Sequence, residues 1–272
     1  MDAPMDAALL LLADSRLPAG GHAHSGGLET AAATGVVHDL ATLAAFLRGR
    51  LATTGLLTSG LAAAACAYAH ECAGPEGDGP PGEAVPVRPG ARARTAAWAG
   101  RGRLDAEANT PSPAYESAPG IGWARLDAEA DARTPSPAQR RASRAQGRAL
   151  LRVARGLWPA SVLDLLTGAA GGPHQPIVLG AAVAAAGGAP VRAAQIAAYG
   201  SVTGPASAAV RLLGLDPLGV HRVLAGLTAR VDGVAAEAAG SVRAGDLPAA
   251  SAPALDVFAE LHDRADPRLF ES

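Results

Sequence analysis

Apolar residues, most of them alanine and leucine, recur along this chain at helical spacing and are separated by short turns rich in glycine and proline. Alanine is the strongest helix former, so the pattern predicts an all-α fold. Turn and cap signals set the boundaries, such as Asp39 before one helix and Gly171-Gly172-Pro173 between two others. The predicted helices are 7–13, 26–34, 40–73, 137–157, 160–170, 175–186, 190–213, 216–239 and 252–263. This corresponds to a bundle of about eight to ten helices.

The helical pattern breaks down between residues 74 and 122. Gly74–Gly90 is rich in proline and glycine and has no apolar period, and the irregular composition continues to Gly122. Two polar segments resemble each other, Arg103–Ala114 and Arg125–Ala138, but a pair without apolar stacking positions indicates a local duplication rather than a solenoid. We therefore expect one all-α domain over residues 1–272, with a disordered insertion at 74–122 that the fold tolerates.

The amino-acid composition of the chain argues against several classes of function. The hydrophobic fraction is 49% and the aromatic fraction only 3%, so the core must come from many close helix contacts. A net charge of −2 argues against nucleic-acid binding. The chain has no lysine for a phosphate-binding loop, which excludes a Walker-type NTPase. Acidic residues precede the first short apolar run, and no uninterrupted apolar stretch reaches membrane length. We expect a cytoplasmic protein without a membrane partner.

The densest cluster of special residues is Ala13–Glu29, which reads ADSRLPAGGHAHSGGLE. His22 and His24 lie two apart and are candidates for metal ligation, but no HExxH or Cys/His spacing supports a site, so no metal is predicted. The alternative is that His24 and Ser25 hydrogen-bond the turn and cap the next helix. Glu29 falls in the first turn of that helix, where it complements the helix dipole.

Three later blocks hold further candidates. Arg148 ends a basic helical segment that contains Gly147, and His174 precedes Gln175-Pro176 as either a helix start or a catalytic group. Arg211 lies in an apolar helix. The chain ends in DPRLFES, and we expect Arg268, Leu269 and Phe270 to form an exposed hook, which is a short terminal segment whose apolar side chains stay open until a partner covers them. No nucleophile motif or phosphate loop is present, so neither an enzyme nor a cofactor is predicted.

These blocks resemble, in order, the UreF family of urease accessory proteins, which open with a turn close to ADS-LP-GGFAHS-GLE. The matching residues are Asp14, Ser15, Leu17, Pro18, Gly20, Gly21, His24, Ser25, Gly27, Leu28 and Glu29. His22 departs from the family, which more often has an aromatic residue there. The segments ASRAQGRALL, SAAVRL and PRLF-S, and the spacing of His174, Pro176 and Gly180, are also similar to the family.

The resemblance implies an all-α dimer with no chemistry of its own. Such a protein binds UreD (also called UreH), recruits the GTPase UreG, and takes part in nickel delivery to apo-urease. The implied partner-binding residues are His24, Ser25, Glu29, Arg148, Arg211, Arg268, Leu269 and Phe270. The N-terminal turn and the Arg211 helix would face the GTPase, and the C-terminal tail would face UreD. Two alternatives stay open: a metal-dependent hydrolase using His22, His24 and His174, and a generic helical dimeric scaffold.

Overall fold

The computed structural model describes residues 7–19, 24–73, 122–243, 245–265 and 269–270. Within these ranges the regular structure is helical, which confirms the predicted all-α fold. The helices are α1 Ala7–Ala13, α2 Leu28–Ala33, α3 Leu40–Arg50, α4 Leu56–Ala73, α5 Trp123–Ala132, α6 Pro137–Leu157, α7 Ser161–Leu165, α8 Gln175–Ala185, α9 Pro190–Leu213, α10 Pro217–Ala225, α11 Thr228–Arg243 and α12 Pro253–Asp263. The predicted insertion lies outside the described residues except for Gly122.

Three segments differ from the sequence prediction. The single helix expected over 216–239 is two helices, because α10 ends at Ala225 and α11 begins at Thr228. The long helix expected over 40–73 contains a π-helical turn, Leu51–Gly55, which joins α3 to α4. Helix α5 was not predicted, since its sequence was interpreted as part of a polar duplication. Its apolar side chains nevertheless lie on one face and are buried, namely Trp123, Leu126 and Ala130.

Helix α4 lies at the centre of the bundle and packs against α8, α9 and α11. Small residues allow this packing: a Cβ at Gly180 of α8 would lie 2.2 Å from the carbonyl oxygen of Ala62. By length and composition Leu40–Ala73 is the one stretch of the described residues that suits a membrane crossing. However, 67% of its most apolar window is buried inside the fold, as in a core helix.

Helix α6 is fixed at its start and in its middle. Ser136 accepts a hydrogen bond from the Gln139 N–H over 3.2 Å, and its own hydroxyl donates to Glu260 of α12 over 2.6 Å. In the middle of the helix, a Cβ at Gly147 would lie 1.9 Å from the carbonyl oxygen of Pro173. Only glycine allows the turn before α8 to approach this closely. These contacts bring α12 and that turn against α6.

Candidate functional site

The N-terminal turn leads into α2 through two left-handed glycines. Gly26 and Gly27 have φ values of 60° and 87°, which side-chain-bearing residues rarely adopt. Ser25 is fully buried, and its hydroxyl oxygen accepts a hydrogen bond from the Glu29 N–H over 3.4 Å. The N-cap itself is Gly27, so Ser25 does not cap the helix but contacts its first turn from two residues before the cap. The helix begins at Leu28, and Glu29 is its second residue.

The Glu29 carboxylate binds the C-terminal tail. Its Oε1 accepts the Leu269 N–H over 2.9 Å, and its Oε2 accepts the Phe270 N–H over 3.1 Å. The same Oε2 lies 2.8 Å from Nε2 of His262, whose side chain is buried on α12. Burial alone would raise the pKa of Glu29, but the hydrogen bonds from Leu269, His262 and Phe270 outweigh it and lower the pKa. The carboxylate is therefore held in its charged form.

The two described residues of the C-terminal tail differ in burial: one side chain is buried and the other is exposed. Phe270 is buried, and the guanidinium carbon of Arg211 lies 4.5 Å from the centroid of its ring, a cation–π geometry. Leu269 keeps 78% of its surface exposed. The predicted hook is thus wrong for Phe270 in this structure and holds for Leu269. We call Glu29, Arg211, His262, Leu269 and Phe270 the tail-docking cluster.

The remaining predicted partner residues lie elsewhere. Arg148 donates a hydrogen bond to the carbonyl oxygen of Gly171, at the turn before α8. His24 is half-buried and lines a cavity of about 590 Å³ between the N-terminal turn, α3, α6, α9 and α12, which Arg211 also lines. Arg268 and His22 lie outside the described residues.

A second polar group was missed by the sequence analysis. Its members are Asp127, Asp131, Ser143, Arg144 and His174, which we call the buried ion cluster. The Arg144 guanidinium lies 2.8 Å from Asp127 Oδ2 and 2.7 Å from Asp131 Oδ2. Nε2 of His174 lies 2.9 Å from Asp131 Oδ1, and its Nδ1 lies 3.0 Å from the Ser143 hydroxyl. His174 thus connects Asp131 and Ser143 through its two ring nitrogens.

The buried ion cluster contains potential metal ligands, because one ligand atom each of Asp127, Asp131 and His174 lie within 4.8 Å of one another. Arg144 already occupies both carboxylates, so a cation would have to displace a guanidinium. Burial raises the pKa of Asp127 despite His174 and Arg144, whereas for Asp131 the same two partners outweigh burial and lower the pKa. The structure therefore groups His174 with an arginine-neutralised carboxylate pair. His24 lines the same cavity as His174, and His22 lies outside the described residues, so the ligand set of the hydrolase alternative stays a prediction.

One signal for this cluster was present in the sequence. Asp127 and Asp131 are four apart, and helical spacing places both on one face of α5. Their arginine and histidine partners come from α6 and the turn before α8. No local pattern links those three segments, so the sequence alone did not join them.

Comparisons with known proteins agree with this architecture. The family model UreF matches residues 37–228. The urease accessory protein UreF of Mycolicibacterium vanbaalenii is 41% identical over 266 residues, covering 98% of each chain. Those of Mycobacterium sp. strain JLS and Mycobacterium tuberculosis H37Rv are 39% and 40% identical over 264 and 266 residues, covering 97% and 98% of each chain. Fold and relatives together define a urease accessory protein. Within that class, the chain belongs to the UreF family.

Proposed function

We propose that this protein is a non-catalytic urease maturation scaffold. With UreD/UreH it recruits the GTPase UreG to apo-urease, and the assembly couples GTP hydrolysis to nickel insertion. The observation that supports this best is the contact of Glu29 with Leu269 and Phe270. It joins the N-terminal turn, the block with the most specific resemblance to the family, to the C-terminal tail, which also resembles the family.

The tail-docking cluster has the composition of a protein-binding surface. Leu269 is an exposed apolar side chain held in place by a backbone anchored on Glu29. Arg211 is an exposed cation beside it, stacked on the buried ring of Phe270. Preorganised leucine and arginine side chains reduce the ordering cost of association. We assign the tail to the UreD/UreH contact and the neighbouring N-terminal turn and Arg211 to the UreG-facing side.

Three further properties belong to the proposal. The protein acts as a homodimer in the cytoplasm, and it needs no cofactor of its own. His24 and Ser25 support the turn, and Arg148 and Arg268 contribute to partner binding. The arrangement of the buried ion cluster supports a role without catalysis, because each carboxylate already pairs with a guanidinium.

The test is co-purification with UreD/UreH combined with urease activation in cells that lack their own UreF. Leu269→Asp should weaken UreD/UreH binding at least about tenfold, because it places a charge where an apolar contact is expected. Leu157→Asp is the matched control, since Leu157 is also exposed but lies at the end of α6. Equal binding by both variants would refute the tail assignment. Full urease activation without this protein would refute the function itself.

A further inference from the structure

Helix α9 contains a proline that leaves a backbone carbonyl without its helical donor. Pro205 lies in the helix interior and has no N–H to give to the carbonyl of Ser201, four residues earlier. The Nε–H of Arg50 donates to that carbonyl oxygen over 2.9 Å. Arg50 is the last residue of α3. A side chain from one helix thus replaces a hydrogen bond that proline removes from another.

The same guanidinium also binds the N-terminal turn. Its Nη1 donates to the carbonyl oxygen of Gly26 over 2.8 Å. A Cβ at Gly26 would lie 2.9 Å from the guanidinium carbon of Arg50, so glycine is required for this approach as well as for the left-handed φ. Glu29 follows three residues later. Arg50 therefore ties the start of the tail-docking cluster to α9, the helix that contains Arg211.

The π-helical turn after Arg50 fits the same junction. It ends at Gly55, where a Cβ would lie 2.8 Å from the Ser201 hydroxyl oxygen. Insertions of this kind recur at functional sites. Among the described residues no carboxylate pairs with Arg50, and burial lowers its pKa to about 10. Two carbonyl oxygens thus hold a partly buried charge, and a lysine ammonium lacks the planar fork that reaches both.

We propose that Arg50 is a positioning residue that fixes the N-terminal turn against α9 and so sets the separation of Glu29 and Arg211, between which the tail docks. This inference rests on the proposed function, because its main readout is UreD/UreH binding. Arg50 acts through the turn and makes no partner contact itself.

The test distinguishes the hydrogen bond from Arg50 to the Ser201 carbonyl from the one to the Gly26 carbonyl. Arg50→Met removes both hydrogen bonds, and Pro205→Ala restores an N–H at position 205 for the Ser201 carbonyl. We expect R50M to lower the unfolding midpoint and to weaken UreD/UreH binding at least about tenfold. Adding P205A should recover most of the midpoint but not the binding, because the Gly26 carbonyl is still not held. P205A alone should bind like the wild type.

Two results would overturn the inference: wild-type binding by R50M, or recovery of binding together with stability in the double variant. The second would show that Arg50 only repairs α9. If R50M does not purify, R50K takes its place with the same expectation for binding, because a lysine ammonium does not reach both carbonyl oxygens. Failure of the wild type to bind UreD/UreH would refute the proposed function instead. In that case amide exchange at 26–29 still tests whether Arg50 holds the N-terminal turn. If it does, these amides must exchange faster in R50M/P205A than in P205A alone.

Discussion

Replacing Glu29 with glutamine tests whether this carboxylate holds the C-terminal tail. The carboxylate accepts from His262 and Phe270 in two partly buried contacts, and from Leu269 in an exposed one. Hydrogen bonds to charged groups contribute about 1.5–3 kcal/mol when buried, and much less when solvent competes. Because two of the three contacts are partly buried and the third is exposed, we expect Glu29→Gln to lower the free energy of unfolding by about 2 kcal/mol.

The assay is a double-mutant cycle with a chain that ends at residue 268. Denaturant unfolding of the wild type, E29Q, the truncated chain and the combination gives the coupling between Glu29 and the tail. Two of the three hydrogen bonds disappear with the tail, so E29Q should cost about 1 kcal/mol less in the truncated chain. Fully additive losses would refute the idea that Glu29 acts through the tail. Faster amide exchange at 269–270 in E29Q provides an independent check.

The same contact predicts a pH dependence. The pKa of Glu29 is lowered from its ordinary value of 4.5, so the folded state binds this proton less readily than the unfolded state. The stabilisation is therefore fully present above about pH 4.5 and is lost as the pH falls through the lower folded-state pKa. We expect the protection factors at 269–270, which are the exchange rates relative to the intrinsic rate at each pH, to fall over that acidic range in the wild type and to show no such fall in E29Q.

Three further changes test the packing and the insertion. Gly147→Ala should destabilise the fold by about 1–3 kcal/mol because its Cβ meets the Pro173 carbonyl, whereas Gly156→Ala in the same helix meets nothing within 4 Å and should be neutral or stabilising by thermal unfolding. Arg144→Ala should cost up to about 3 kcal/mol by the same measurement, since it leaves the buried Asp127 without its guanidinium, whereas the more exposed Asp131 keeps His174. Deleting 75–121 should preserve the far-ultraviolet circular dichroism per helical residue and the cooperativity of unfolding, and loss of a single transition would contradict an insertion without a packed core.

The sequence predicted the fold class well because local rules dominate there. Helices α6 and α9 have the predicted bounds, since Pro137 and Pro190 occupy first-turn positions and Gly214 ends α9 in a left-handed conformation. The break between α10 and α11 was missed because Gly226 interrupts the helix without disturbing the apolar period on either side. Helix α5 was missed because its polar half duplicates a segment of the Pro/Gly-rich insertion.

The site was less predictable because its contacts join distant parts of the chain. Glu29 and Leu269 are 240 residues apart, and nothing in either local sequence indicates that one binds the other. The family resemblance selected both residues, but as surfaces for different partners. Arg50 carried no signal, since its role follows from a proline more than 150 residues later that removes one donor from α9. The role of Arg50 becomes evident only when each backbone acceptor in the folded protein is matched with its donor, because residue type alone does not indicate it.

Helix α12 connects the two polar groups of this protein. Its Glu260 accepts hydrogen bonds from the Ser136 hydroxyl and the Ala138 N–H at the start of α6, and its His262 meets Glu29. Helix α6 in turn supplies Arg144 to the buried ion cluster, which fastens α5 and the turn before α8. The buried ion cluster, which includes Arg144 of α6, lies at one end of this chain of contacts, and the exposed Leu269 lies at the other. These polar contacts thus link the buried ion cluster to the surface around Leu269, which the proposed function assigns to a partner.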